Sequence, residues 1–223
     1  MFIELVDSLR CLEPHEETWL VAAVDRRDGR HIMHGTLACP ICRREYPIRD
    51  GIGWFARGAT DAAPYLTPAR ERVEGPANAQ AGDDRFTRAA ALMGLMDAGG
   101  IVVLGGPWTD VADMLPALGI SHVVVLNTQT TPESPQEVSG LVVEDRLPFR
   151  QTALRAAALG GSTATGPLLE SAASVLRTRG RLVAPSGAPV PSGITELARD
   201  EYDWVGERAI VASPPVPLRS ARR

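Results

Sequence analysis

Long apolar runs are missing from this chain of 223 residues. None approaches the roughly 20 residues that span a bilayer, so membrane insertion is not expected. An excess of positive charge is missing too: 23 basic against 27 acidic residues leave a net charge of −4. Without a basic field no DNA partner is expected, while RNA is left open. Cysteine is scarce, with three in all, which is too few for a disulfide framework. Residues 1–11 carry Glu4 and Asp7 where a secretory signal has positive charge, so no signal peptide is expected. The expected compartment is the reducing cytoplasm, where a Cys-x-x-Cys pair is more often a metal or redox site than a structural disulfide. A phosphate-binding G-x4-G-K-[ST] loop is absent, and no Ser/His/Asp or Cys/His set points to hydrolysis.

What is present is a hydrophobic fraction of 44%, enough for one large core or two smaller ones. One stretch organises the first part of the chain. Cys39 and Cys42 form its Cys-x-x-Cys, followed by Tyr46-Pro47-Ile48 and a tight Asp50-Gly51 turn. Two cysteines on a knuckle followed by a strand present half of a zinc ribbon, because both sulfurs must reach adjacent vertices of one tetrahedron. Residues 18–25 are rich in β-formers, Asp28-Gly29 is a hairpin signal, and residues 30–38 return as the partner strand. Residues 1–12 suit one or two helical turns or an edge strand. Trp54 and Phe55 close the ribbon, either capping its core or offering a docking surface.

Residues 58–82, rich in Ala, Gly and Pro, form a linker or arm. From Asp83-Asp84 a helix is expected, with Phe86, Ala89, Ala90, Met93 and Met96 on one face and Gly99-Gly100 as its stop. Strands are then expected at 101–104, 122–126, 141–143, 154–159 and 181–184. Helices are expected at 109–118 and 167–179, and a terminal hairpin in 201–213 around Gly206. Strands alternating with helices predict a mostly parallel sheet. The fold class is therefore α/β: a small β head (1–57), the arm (58–82), an α/β domain (83–213) and a Pro/Arg-rich tail (214–223).

The head resembles the small zinc-ribbon proteins that activate tRNA- and protein-methyltransferases. The resemblance rests on Leu9-Arg10-Cys11, on Leu37-Ala38-Cys39-Pro40-Ile41-Cys42, and most specifically on Tyr46-Pro47-Ile48-Arg49-Asp50-Gly51-Ile52. That family would place a second cysteine at Pro14. His15 lies one residue on, and imidazole binds zinc as readily as thiolate. The resemblance thus implies zinc on Cys11, His15, Cys39 and Cys42. His31 or His34 could replace His15. A metal-free ribbon and a redox thiol pair are the other two readings.

The second half resembles a class I S-adenosylmethionine methyltransferase with a Rossmann-like fold. The matching runs are Val175-Leu176-Arg177-Thr178-Arg179-Gly180-Arg181-Leu182-Val183 and Glu144-Asp145-Arg146-Leu147-Pro148-Phe149. The resemblance implies S-adenosylmethionine contacts at Gly105, Gly106, Asn127, Glu144 and Asp145. The chain departs from the family at these same places. The acid at the end of the first strand is Val103, and the later glycines of its turn are Pro107 and Thr109. The ribose-binding acid is Asn127, and the fourth-strand motif is Leu154-Arg155-Ala156-Ala157. Each lost hydrogen bond costs about 1 kcal/mol. The expectation is a non-catalytic, methyltransferase-like scaffold that binds a protein partner within a larger assembly. The alternative is an active methyltransferase with an atypical cofactor loop.

Overall fold

Gly29 takes a positive φ of 53° and closes the expected hairpin between β1 (Val21–Asp28) and β2 (His31–Ala38). β1 starts at Val21 rather than at residue 18, because Thr18 and Trp19 serve the N-terminal segment instead. The Cys11 N–H donates to the Thr18 carbonyl at 3.1 Å, and Arg10 bridges Trp19. β3 (Glu45–Arg49) adds to β2 and turns at Asp50-Gly51 into β4 (Ile52–Trp54). These strands come from a computed structural model that describes residues 1–57, 76–128 and 137–209, with residues 76–82 described by backbone alone.

The sheet does not end at the head. β4 pairs in parallel with β7 (Val138–Val142), Ile52 opposite Gly140 and Trp54 opposite Val142. Beyond β7 the sheet continues through β6 (His122–Leu126), β5 (Ile101–Gly105), β8 (Leu154–Ala158) and β9 (Leu176–Pro185), all parallel. At the far side β11 (Asp203–Arg208) inserts between β9 and β10 (Ile194–Arg199), antiparallel to both. Among the described residues the result is one sheet of eleven strands in the order β1-β2-β3-β4-β7-β6-β5-β8-β9-β11-β10.

β5, β7 and β8 are buried along their whole length. Covered on both faces, such strands need no alternation of polar and apolar residues. The alanines of β8 suit this, because small side chains fit between two packed layers. Adjacent residues feed opposite cores. Val103, Val124, Leu141 and Ala157 join one cluster, while Val102, Val123, Val125 and Ala156 join the other. Helix α1 (Pro76–Met93) and a 3-10 helix, Gly106–Leu118, cover the second face.

The first face is covered by helix α2 (Gly166–Val175) and by the start of the chain. No helix intervenes between β7 and β8. A 3-10 helix, Ile3–Ser8, stands in that layer, with Leu5 and Leu9 fully buried. Arg10 N donates to Pro148 O at 2.8 Å, Arg150 N to Ser8 O at 3.0 Å, and Phe2 N to Ser139 Oγ at 2.9 Å. One hydrophobic cluster accordingly runs from Met1, Leu5 and Ile48 to Leu141, Leu169 and Trp204.

Several expected boundaries move. α1 begins at Pro76, inside the expected arm, while residues 58–75 lie outside those described. It ends at Met93 with Gly94 at φ 64°, ahead of the expected Gly99-Gly100 stop. Arg181 donates to the Ala91 and Leu92 carbonyls at the end of the helix, and Arg155 donates to the Gly94, Asp97 and Gly99 carbonyls of the segment that follows. Met96 therefore falls beyond the helix and is 88% exposed. Pro107 and Pro116 sit within residues 106–118, which form a 3-10 rather than an α-helix. α2 stops at Val175 because Leu176 already pairs with Leu154. The terminal hairpin turns at 200–202, and Gly206 lies within β11 rather than between strands. Residues 210–223, including the tail, lie outside those described. No helix among the described residues is long and apolar enough to cross a membrane.

Candidate functional site

The knuckle between β2 and β3 turns at Arg43, which takes φ 60°. Cys39 N donates to Arg44 O at 2.9 Å and Arg43 N returns to Cys39 O at 3.0 Å, so the loop holds both cysteines to one side. The N-terminal segment brings Cys11 and His15 against them. The ligand atoms of Cys11, His15, Cys39 and Cys42 all lie within 4.8 Å of one another. Cys11 Sγ is 3.6 Å from Cys42 Sγ, and Cys39 Sγ is 3.4 Å from His15 Nε2. Tetrahedral zinc would separate two sulfurs by about 3.8 Å and a sulfur from a nitrogen by about 3.5 Å. The donor set and its spacing fit that ion.

The surroundings orient these donors. His15 Nδ1 donates to the Glu16 carbonyl at 2.7 Å, which leaves the Nε2 lone pair toward Cys39. The Tyr46 hydroxyl accepts from Leu12 N at 3.0 Å and lies 3.4 Å from Cys11 Sγ, within hydrogen-bonding reach of that sulfur. The Tyr46 ring stacks on Phe55 with centroids 4.6 Å apart. Burial pushes the Cys39 thiol up, but the N–H groups of Cys42 and Ile41 and the neighbouring thiols outweigh it and bring it to about 7. Burial pushes Cys11 up to about 11. The other two histidines of the head stand apart: His34 faces Asp50 at 3.5 Å, and His31 packs edge-on against Phe2. Trp54 and Phe55 are 3% and 4% exposed, so they cap the core and offer no docking surface.

The expected cofactor residues are arranged differently. Gly105 ends β5 and Gly106 follows with φ 62°. A Cβ on Gly105 would meet Thr163 Oγ1 at 2.2 Å, and one on Gly106 would meet Gly160 O at 2.2 Å. Gly160 N donates to Gly105 O at 3.1 Å, and the Thr163 hydroxyl donates to Gly160 O at 2.8 Å. Thr163 is 1% exposed and Trp108 is 7% exposed. The turn after β8 thus packs directly on the turn after β5.

Asn127 ends β6 at φ 53°. Its Nδ2 donates to Val143 O at 3.0 Å and its Oδ1 accepts from Val143 N at 2.9 Å. The amide copies a peptide group and extends the β6–β7 ladder. Both of its polar atoms are used. Glu144 and Asp145 are exposed. Asp145 lines a cleft of about 540 Å³ together with Arg10, Cys11, His15, Arg146 and Ser171. Of Gly105, Gly106, Asn127, Glu144 and Asp145, only Asp145 lines that cleft, while Gly105 and Gly106 are packed against Thr163 and Gly160 and the Asn127 amide is spent on Val143. Sequence reasoning missed Thr163 as a filler, although the Gly160-Gly161 pair before it signals close backbone approach. It also missed the Tyr46 hydroxyl, which was present only as part of a motif.

Residues 15–51 match the model of the Trm112p-like protein family, a segment that begins at His15 and so leaves Cys11 outside. Among solved structures, the chain is similar to one from a complex of the Haloferax volcanii Trm112 methyltransferase activator. Identity is 15%, TM-score 0.37, with 62% of this chain and 100% of that chain covered. It is also similar to the MycE methyltransferase of mycinamycin biosynthesis, at 8% identity and TM-score 0.45, covering 65% and 52%. An S-adenosyl-L-methionine methyl transferase from Silicibacter pomeroyi matches at 16% identity and TM-score 0.40, covering 61% and 99%. The chain spans about half the length of several of the structures it matches. A search among curated proteins finds no match.

Proposed function

We propose that this chain is a non-catalytic, methyltransferase-like scaffold whose head carries structural zinc and whose role is to bind a protein partner in a cytoplasmic assembly. The observation that carries this reading is the filled end of β5. Thr163 and Gly160 occupy the ground above Gly105 and Gly106, with Trp108 packed behind Gly160, and the Asn127 amide is spent on Val143. A cofactor would have to displace buried protein groups that already satisfy one another. Zinc is supported by a Cys3His set with tetrahedral spacing and an oriented imidazole. All four positions of such a site are protein ligands, the form that stabilises rather than catalyses. The apolar side chains exposed near the knuckle, Trp19 at 64%, Val21 at 54% and Ile41 at 48%, are the proposed partner contacts.

Calorimetric titration with S-adenosylmethionine tests the reading. No binding is expected up to millimolar concentration, and a Kd below about 100 μM would overturn it. Such a result would favour the alternative, an S-adenosylmethionine-dependent methyltransferase using Gly105, Gly106, Asn127, Glu144 and Asp145. Elemental analysis of protein purified without added metal should give about one zinc per chain. A partner captured by the wild-type chain and lost with Trp19→Asp would identify the contact surface.

A further inference from the structure

We infer that Cys11 and Cys42 form a reversible oxidation site, at which disulfide formation expels the zinc and ties the N-terminal segment covalently to the knuckle. The inference rests on the zinc reading above and adds a modification to the same cluster. The two sulfurs are 3.6 Å apart, in direct contact, and Cys42 is exposed. Cys39 differs from both. It is buried, and its N–H and carbonyl are engaged with Arg44 and Arg43. Pairing Cys11 with Cys42 joins two separate segments whose sulfurs are already in contact, and it leaves the buried Cys39 and its loop hydrogen bonds as they are.

The chemistry balances with a peroxide as oxidant. One thiolate attacks hydrogen peroxide, the O–O bond breaks, and a sulfenic acid and hydroxide form. The second thiolate displaces hydroxide from that sulfur to give the disulfide. Two thiolates lose two electrons in total, and peroxide with two protons leaves as two waters. A tetrahedral site that loses two of its four donors cannot keep its ion, because neither disulfide sulfur carries the charge that held it. Cys11 lies next to Arg10, whose N–H holds Pro148, and its own N–H holds Thr18 beside Trp19.

The test uses the full chain loaded with zinc. Hydrogen peroxide is added in excess, zinc release is followed with a chromogenic chelator, and disulfides are located by peptide mass mapping. The expected result is about one zinc released per Cys11–Cys42 bridge formed, and reversal by dithiothreitol plus zinc. A chain that keeps its zinc while Cys42 is oxidised, or that yields a Cys39–Cys42 bridge, overturns the inference and leaves the zinc reading standing. A chain that carries no zinc and takes none up overturns both. Cys42→Ser should give no bridge under the same conditions, and the wild-type mapping stands by itself if that variant fails to fold.

Discussion

Pro14 and Pro107 occupy comparable positions in the two halves of the molecule. Each stands where a ligand-binding residue is expected, a cysteine in the first knuckle and a glycine in the cofactor turn. Around Pro14 the chain recovers a donor one residue later, and His15 Nε2 lies 3.4 Å from Cys39 Sγ. Around Pro107 it recovers nothing: the space is taken by Gly160, Thr163 and Trp108. A broken motif therefore has two outcomes that look alike as sequence. In one the donor set is rebuilt from a neighbour, and in the other the site is filled by the protein itself. The difference is whether the polar groups left behind face one another across a shared point or are satisfied elsewhere.

The comparison can be broken most severely at the knuckle. Cys39→Ser should abolish stoichiometric zinc and cost about 4 kcal/mol or more, since metal loss is among the few single changes of that size. Elemental analysis and denaturant unfolding measure both, and full zinc retention would refute the ligand set. Leu9→Ala, at a fully buried position beneath the Phe149 bridge, should cost about 3 kcal/mol. Unfolding should remain a single transition, because head and α/β half share one core. Two separated transitions would divide them.

Asn127→Asp restores the acid that the cofactor family uses and sharpens the other side of the comparison. It places a carboxylate oxygen against the Val143 carbonyl in place of an N–H donor. The cost should be about 2 kcal/mol at neutral pH, with no gain in S-adenosylmethionine affinity on calorimetry. The charged form is disfavoured in the folded state, so this carboxyl's folded pKa is raised. Stability lost at neutral pH should therefore return as pH falls through that raised pKa, and the return should be complete by the ordinary aspartate pKa. A variant that instead binds the cofactor would mean the end of β5 opens easily. Tyr46→Phe is the mildest test: removing the acceptor for Leu12 N should cost about 1 kcal/mol and slow zinc binding without abolishing it.

Local features were readable in the chain. Asp28-Gly29 and Asp50-Gly51 place their turns because glycine there meets a positive φ, and Cys39-Pro40-Ile41-Cys42 announces a knuckle by its spacing. The alternation of strands and helices was also readable, because buried parallel strands are continuous apolar runs. What could not be read depends on contacts distant in sequence. Nothing near Ile52 signals that β4 will join Val138–Val142. Nothing near Asn127 signals that its amide will bond Val143, and the early end of α1 follows from Arg155 and Arg181, which come from other strands. The closeness of the four candidate donors was legible because they sit in short loops. The filled cleft was legible only as a set of departures, since Thr163 lies far along the chain from the glycines it covers.

The pairing of Ile52 with Gly140 also governs the order of assembly. The hairpin of β1 and β2 closes locally and can form as soon as it is made. The β4–β7 ladder closes a loop of much higher contact order, which is slow to form. During synthesis at about 5–20 residues per second, the finished head must wait on the order of ten seconds for its neighbouring strand to emerge. Through that interval the free side of β4 is an unpaired strand edge beside the apolar side chains of Trp54 and Phe55. Zinc taken up at the knuckle in that time would hold the early strands together until β7 arrives.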